Sequence, residues 1–259
     1  MPHSIIRRVW DYCSYDKKFL LFVLVLLFIS SLIQNYVQAY GKETDLLLLR
    51  IIIFIIISGY GMSITKSRIN HGKRLPKIVI KDIVFLGIKS GITSFIYFFI
   101  QITILTYVGF ALGFFLLFNL EELLLNWSET ISILLSHEPV SAIFFVVVGL
   151  ALFYVTTFFM EIALAKLADT GSMQAAFNLM SIKRSIDVFG WRNYAKDCTL
   201  IILTIVLLSY LISFDIPFNF IDSIIDMFLS FLIFVTQYLG IGAVYCQIKD
   251  LQSSHELIN

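Results

Sequence analysis

The stretch LLLLRIIIFIIISGYGMSITKSRINHGKRLPKIVIKD, residues 46–82, decides the fold. Its first twenty residues, Leu46 to Thr65, carry one charge, Arg50, and are otherwise almost entirely apolar. A helix of about 20 such residues spans a hydrocarbon core of roughly 30 Å, whereas a barrel strand needs only about ten with strict alternation. The run then breaks into Lys66, Arg68, Lys73, Arg74, Lys77 and Lys81, the most basic loop of the chain. An apolar run ending in a basic loop is a membrane span that ends on the cytoplasmic side.

The same reading extends in both directions. Spans are expected at about 19–40, 46–65, 83–118, 140–167, 198–214 and 221–245. The polar ends alternate with them: Arg7, Arg8, Lys17 and Lys18 precede the first span, and Lys183, Arg184, Arg192 and Lys196 lie between the fourth and fifth. Of the 19 Lys and Arg residues, only Lys42 and Arg50 fall toward the opposite side. This bias predicts a multi-pass plasma-membrane protein with both termini in the cytoplasm. The composition agrees. The chain is 59% hydrophobic and 14% charged, with mean hydropathy +0.89. A soluble domain is about a quarter charged. The predicted fold is therefore all-α, a polytopic integral membrane bundle of six transmembrane helices with interfacial amphipathic helices, residues 1–259 forming one membrane domain.

Some segments read two ways. Val37-Gln38-Ala39 offers a weak signal-peptidase site after the first apolar run, but an uncleaved span keeps the loop alternation intact. Residues 83–120 are too long for one perpendicular span. The next loop, Glu121 to Pro139, has no Lys or Arg and carries Glu121, Glu122, Glu129 and Glu138, so one tilted or kinked helix fits better than two. Gly109 and Gly113 are candidate bend points, and Lys89 is expected to snorkel to the cytoplasmic surface. The acidic loop, with Trp127 as an anchor, reads as an outer interfacial helix. The stretch 172–194 reads as an inner amphipathic helix with Met173, Phe177, Met180 and Val188 on its apolar face. Spans two and four both run into a glycine, Gly72 or Gly171, then an elbow, then another span. This echo suggests two related hairpins, although glycine closes many unrelated helices.

The elbows also carry a family resemblance. Gly59, Tyr60, Arg68, Gly72, Leu75 and Pro76, followed later by Ala168, Gly171, Ser172, Ala176 and Phe177, form a pair of patterns. Together they resemble an uncharacterised polytopic membrane protein family of archaea and bacteria, domain of unknown function 4013. The resemblance implies a fold and an archaeal or bacterial source, and no catalytic residue. Where the family carries acidic residues between the glycine and the Leu-Pro, this chain has Lys73 and Arg74.

Ionisable groups within spans are costly and so are default functional candidates. Arg50 and the i, i+4 pair Asp222 and Asp226 sit at similar depth, and Arg50 is expected to pair with Asp226. Glu161 is expected near Lys89 or Lys166, either as a structural pair or as a proton or cation relay. Gln101 and Gln237 are expected to cross-link helices. Gly59-Tyr60-Gly61 lacks the pore-helix context of a potassium filter and suits close helix packing instead. Lys66, Arg68, Lys73, Arg74, Lys77 and Lys81 are the candidate contacts for anionic lipid headgroups, worth roughly 1 kcal/mol each near the surface. Cys13, Cys198 and Cys246 are expected as free thiols, and the four histidines as isolated. No catalytic, cofactor or metal site is expected. Nucleic acid is not an expected partner, and a homo-oligomer is compatible with the reading. The favoured function is a non-enzymatic membrane subunit binding lipid or a partner protein. A small-solute or ion transporter comes next, and an interfacial enzyme acting on lipid last.

Overall fold

The computed structural model describes residues 17–40, 43–72, 75–112, 139–212 and 219–256. Eight helices lie among them, with no strand. They are α1 (Lys17–Tyr40), α2 (Glu43–Ile69), α3 (Ile80–Ala111), α4 (Pro139–Thr170), α5 (Met173–Phe177), α6 (Leu179–Phe189), α7 (Trp191–Ile212) and α8 (Asn219–Glu256). Five of them, α2, α3, α4, α7 and α8, contain stretches long and apolar enough to cross a membrane. The sixth expected span is α1, whose shorter apolar stretch is Leu21–Ile33. Large apolar side chains such as Leu48, Phe95, Phe110 and Val140 are exposed along these helices, as a bilayer solvent allows.

The helix from Ile80 runs unbroken to Ala111, so the first part of residues 83–120 is one helix. At 1.5 Å per residue its 32 residues extend about 48 Å, well over a bilayer core. Gly109 lies inside it without ending it. Gly113, the acidic loop and its expected interfacial helix with Trp127 lie outside the described residues.

The chain divides into two compact units, residues 1–93 with 161–259, and residues 94–160. The larger unit is built on α1, α2 and α8. Val23 and Leu27 from α1, Tyr60 and Ile64 from α2, and Phe231, Phe234, Val235 and Leu239 from α8 form its core, with Leu75 and Ile83 beside them. Burying each such side chain contributes about 1.5–3 kcal/mol where the alternative is water. In a bilayer, close packing must carry more of the association. Glycines supply it. A Cβ on Gly59 would lie 1.8 Å from the Ile83 carbonyl oxygen, and one on Gly87 2.0 Å from that of Ile55. The backbones of α2 and α3 therefore touch. On another side of α2, Gly61 receives the Tyr238 ring of α8, and Thr65 Oγ1 donates to the Tyr238 carbonyl at 2.9 Å. The packing role expected for Gly59 and Gly61 is what the structure contains. In the smaller unit, Ala142 and Phe145 of α4 pack with Leu105, Val108 and Leu112.

The second elbow differs from its expected form. Residues 172–194 are not one amphipathic helix. Asn178 breaks the stretch, its Oδ1 accepting from Ser181 N at 2.9 Å as an N-cap for α6. The buried face of α6 is Ile182, Ser185 and Ile186, while Met180 is exposed. Gly190, at φ +89, ends α6, and α7 begins at Trp191, about two turns before the apolar run.

Candidate functional site

The two elbows of the larger unit close in different ways, and both matter to the site. After α2, His71 N donates to the Arg68 carbonyl at 3.1 Å and Gly72 N to the Ser67 carbonyl at 2.8 Å. This pair is a Schellman closure, and its left-handed position is held by His71 at φ +58, where glycine is usual. After α4, Gly171 at φ +69 donates its N–H to the Leu167 carbonyl at 2.8 Å, the simpler single-bond closure. The expected echo between the hairpins thus stops at the glycine. Residues 75–79 of the first elbow are irregular, whereas the second elbow continues as α5 and α6.

Three cross-links tie these ends together. Lys89 Nζ donates to the Gly171 carbonyl at the C-terminus of α4 and lies 4.1 Å above the Phe85 ring. A cation there also meets the negative end of the α4 dipole. Lys249 of α8 bonds Asp169 at 2.8 Å. The next residue of α8, Asp250, meets His71 at 3.2 Å. The elbow residues of the family pattern serve this architecture. Tyr60 is buried and its hydroxyl lies 3.4 Å from the Pro76 carbonyl oxygen, Leu75 is buried, and Ala168 and Ala176 are fully enclosed.

Between the first elbow, the start of α3 and Gly171 lies a cleft of about 470 Å³. Ser63, Lys66, Ser67, Asn70 and Lys77 give its lining polar and basic groups, with Asp82 as an acidic member. Pro76, Val79, Phe85 and Leu86 give the same lining apolar surface. Of the candidate headgroup contacts, Lys66 and Lys77 line this cleft and are exposed. Lys81 is exposed outside it, and Arg68 is turned toward Gly242 of α8. Lys73 and Arg74 lie outside the described residues.

The intramembrane pairs fall out differently from expectation. Lys89 neither reaches the surface freely nor meets Glu161, because the Gly171 carbonyl holds it. Lys166 donates to Ser181 Oγ at 2.7 Å. Glu161 is 5% exposed and hydrogen-bonds the Cys198 thiol instead. Among the described residues the ion pairs are His71–Asp250 and Lys249–Asp169, and neither includes Arg50, which lies on an exposed face of α2. Asp226 is half-buried, and the Asp222 side chain is outside the described residues. Gln101, expected to bond across helices, leaves its buried Oε1 without a partner among the described residues.

The histidines are not all isolated. His71, Cys246 and Asp250 converge, a cluster that sequence spacing around His71 did not contain. The one local sign of it is the i, i+4 spacing of Cys246 and Asp250 on one face of α8.

Comparison with curated proteins and with solved structures finds no match. The model of the family described as "Protein of unknown function (DUF4013)" matches residues 46–218, a segment that takes in both elbows, the whole lining of the cleft and the glycine crossing of α2 and α3, and the chain belongs to that family.

Proposed function

We propose that the protein is a non-enzymatic membrane subunit that holds an anionic phospholipid in the cleft at its basic elbow. The observation that carries this is the lining itself. Lys66 and Lys77, with Ser63, Ser67 and Asn70, offer charge and hydrogen-bond donors to a phosphate, while Val79, Phe85 and Leu86 offer an apolar wall to the acyl chain beside it. A lipid headgroup is the ligand that needs both at a membrane surface.

The charge bias of the loops supports a plasma-membrane setting in which the elbow faces the cytoplasm, where anionic lipids give the leaflet its negative surface potential. Two lysines at roughly 1 kcal/mol each give about 2 kcal/mol, or about 30-fold in affinity.

The test is thermal unfolding of the detergent-solubilised protein with added phosphatidylglycerol or phosphatidylcholine. The expected result is a rise in Tm with phosphatidylglycerol that is lost in the Lys66→Gln/Lys77→Gln double variant, since a ligand that binds only the folded state stabilises it. An equal response to both lipids, or an unchanged response in the variant, would overturn the reading.

One observation favours transport as a second reading. Glu161 is an ionisable side chain buried within a helix long and apolar enough to cross a membrane, and such groups mark ion and proton pathways. Flux into proteoliposomes that falls in Glu161→Gln while the fold holds would place the function there.

A further inference from the structure

We propose that His71, Cys246 and Asp250 form a Zn²⁺ site that pins the first elbow to α8. This goes beyond lipid binding and does not depend on it. Each residue offers one ligand atom of a type zinc accepts: imidazole nitrogen, thiolate sulfur and carboxylate oxygen. The candidate atoms all lie within 4.8 Å of one another.

The separations suit a metal centre. Zinc bonds of about 2.3 Å to sulfur and about 2.0–2.2 Å to nitrogen or oxygen, at tetrahedral angles, put ligand atoms about 3.4–3.6 Å apart. Here His71 Nε2 is 3.2 Å from Asp250 Oδ1 and 4.0 Å from Cys246 Sγ, and Cys246 Sγ is 3.9 Å from Asp250 Oδ2. The two short distances to Asp250 use different carboxylate oxygens; through a single oxygen the three ligand atoms lie within 4.8 Å of one another, so the widest pair closes by up to about 1.3 Å on binding. Cys246 and Asp250 sit one helical turn apart on α8, so their spacing is fixed by the helix, and only His71 comes from elsewhere.

Charge points the same way. A thiolate at Cys246 beside the Asp250 carboxylate is repelled until a cation lies between them. That repulsion also weighs against Cys246 as an activated nucleophile, despite His71 Nδ1 at 3.5 Å. With the Cys246 thiol proton released to solvent, one thiolate and one carboxylate balance one Zn²⁺, and the imidazole stays neutral. His71 and Asp250 are well exposed, which leaves the fourth position open to water or a further ligand. Asn70, next in sequence to His71, lines the cleft, so an occupied site would fix one wall of it.

The probe is Co²⁺, a spectroscopic substitute for Zn²⁺, added to the untagged full-length protein in detergent. The expected result is a thiolate-to-cobalt charge-transfer band that Zn²⁺ abolishes at one equivalent. Cys246→Ser should lose the band, whereas Cys198→Ser, which alters a buried thiol outside the cluster, should keep it. Asp250→Asn should weaken Zn²⁺ binding by more than about tenfold. His71→Gly removes the ligand while placing glycine at a left-handed position, so its loss of metal cannot be assigned to misfolding. No band in the parent protein, or a band that survives Cys246→Ser, would overturn the assignment.

Discussion

The crossing of α2 and α3 makes the sharpest energetic prediction. A Cβ placed on Gly59 would sit 1.8 Å from the Ile83 carbonyl oxygen and 2.7 Å from its carbon. Close Cα–H···O contacts keep about 3.3 Å, so Gly59→Ala must drive the two backbones apart by about 1.5 Å. The obstacle is backbone within a helix, so no side-chain rotation relieves it. Overpacking of this kind costs about 3 kcal/mol at the upper end of its usual range. Alanine returns about 1 kcal/mol of helix propensity, leaving a net loss of about 2 kcal/mol. For a chain of this size that is a fall of about 4–8 °C in Tm. Gly91→Ala is the internal control. Its Cβ would meet only Phe54 Cε1 at 3.6 Å, an ordinary contact, so it keeps the propensity gain and its Tm should hold or rise. Both variants would be melted in one detergent at one lipid content, followed by circular dichroism. Gly87→Ala should match Gly59→Ala, and the double change should cost less than their sum, since one substitution already opens the crossing. Equal Tm for Gly59→Ala and Gly91→Ala would refute the close crossing.

Two further outcomes follow from the elbows. Lys89→Met removes the charge-assisted bond to the Gly171 carbonyl and the contact over Phe85, and should lower stability by about 1.5–3 kcal/mol in denaturant titration; no change would mean that the carbonyl is served equally well by water. Gly171→Ala meets nothing within 4 Å, so only its φ of +69 is penalised; the expected loss is about 1 kcal/mol, smaller for Gly171→Asn, and a neutral alanine would contradict the left-handed closure.

The spans were legible because apolar run length is a direct consequence of bilayer thickness. Five long helices and α1 fall where the runs of Ile, Leu and Phe lie. The helix ends were less legible, because hydropathy stops reporting once a helix leaves the apolar layer. Thus α7 begins at Trp191 within a polar sequence, and α8 continues to Glu256. In the second elbow the side-chain cap at Asn178 outweighed the amphipathic pattern and split it into two helices.

Polar pairings were the least legible part. Depth along a helix says nothing about azimuth, so matching Arg50 to Asp226, or Glu161 to a lysine, used one coordinate of three. Lys89 found a carbonyl at a helix end because a backbone acceptor, invisible in the side-chain sequence, stood within reach. His71 meets Cys246 and Asp250 through a contact 175 residues apart in sequence, brought together by the packing of α8 on α2. The cleft needed the same fold knowledge. The basic loop announced Lys66 and Lys77, but nothing in the sequence placed Phe85 and Leu86 in one cleft with them.

Native mass spectrometry of the gently extracted protein is the most direct test of whether the cleft holds an anionic lipid. The expected result is a stoichiometric phospholipid adduct, anionic by mass and fragmentation, that is retained by the parent protein and lost in Lys66→Gln/Lys77→Gln. A bare chain, a companion protein without lipid, or an adduct that survives the double substitution would contradict it.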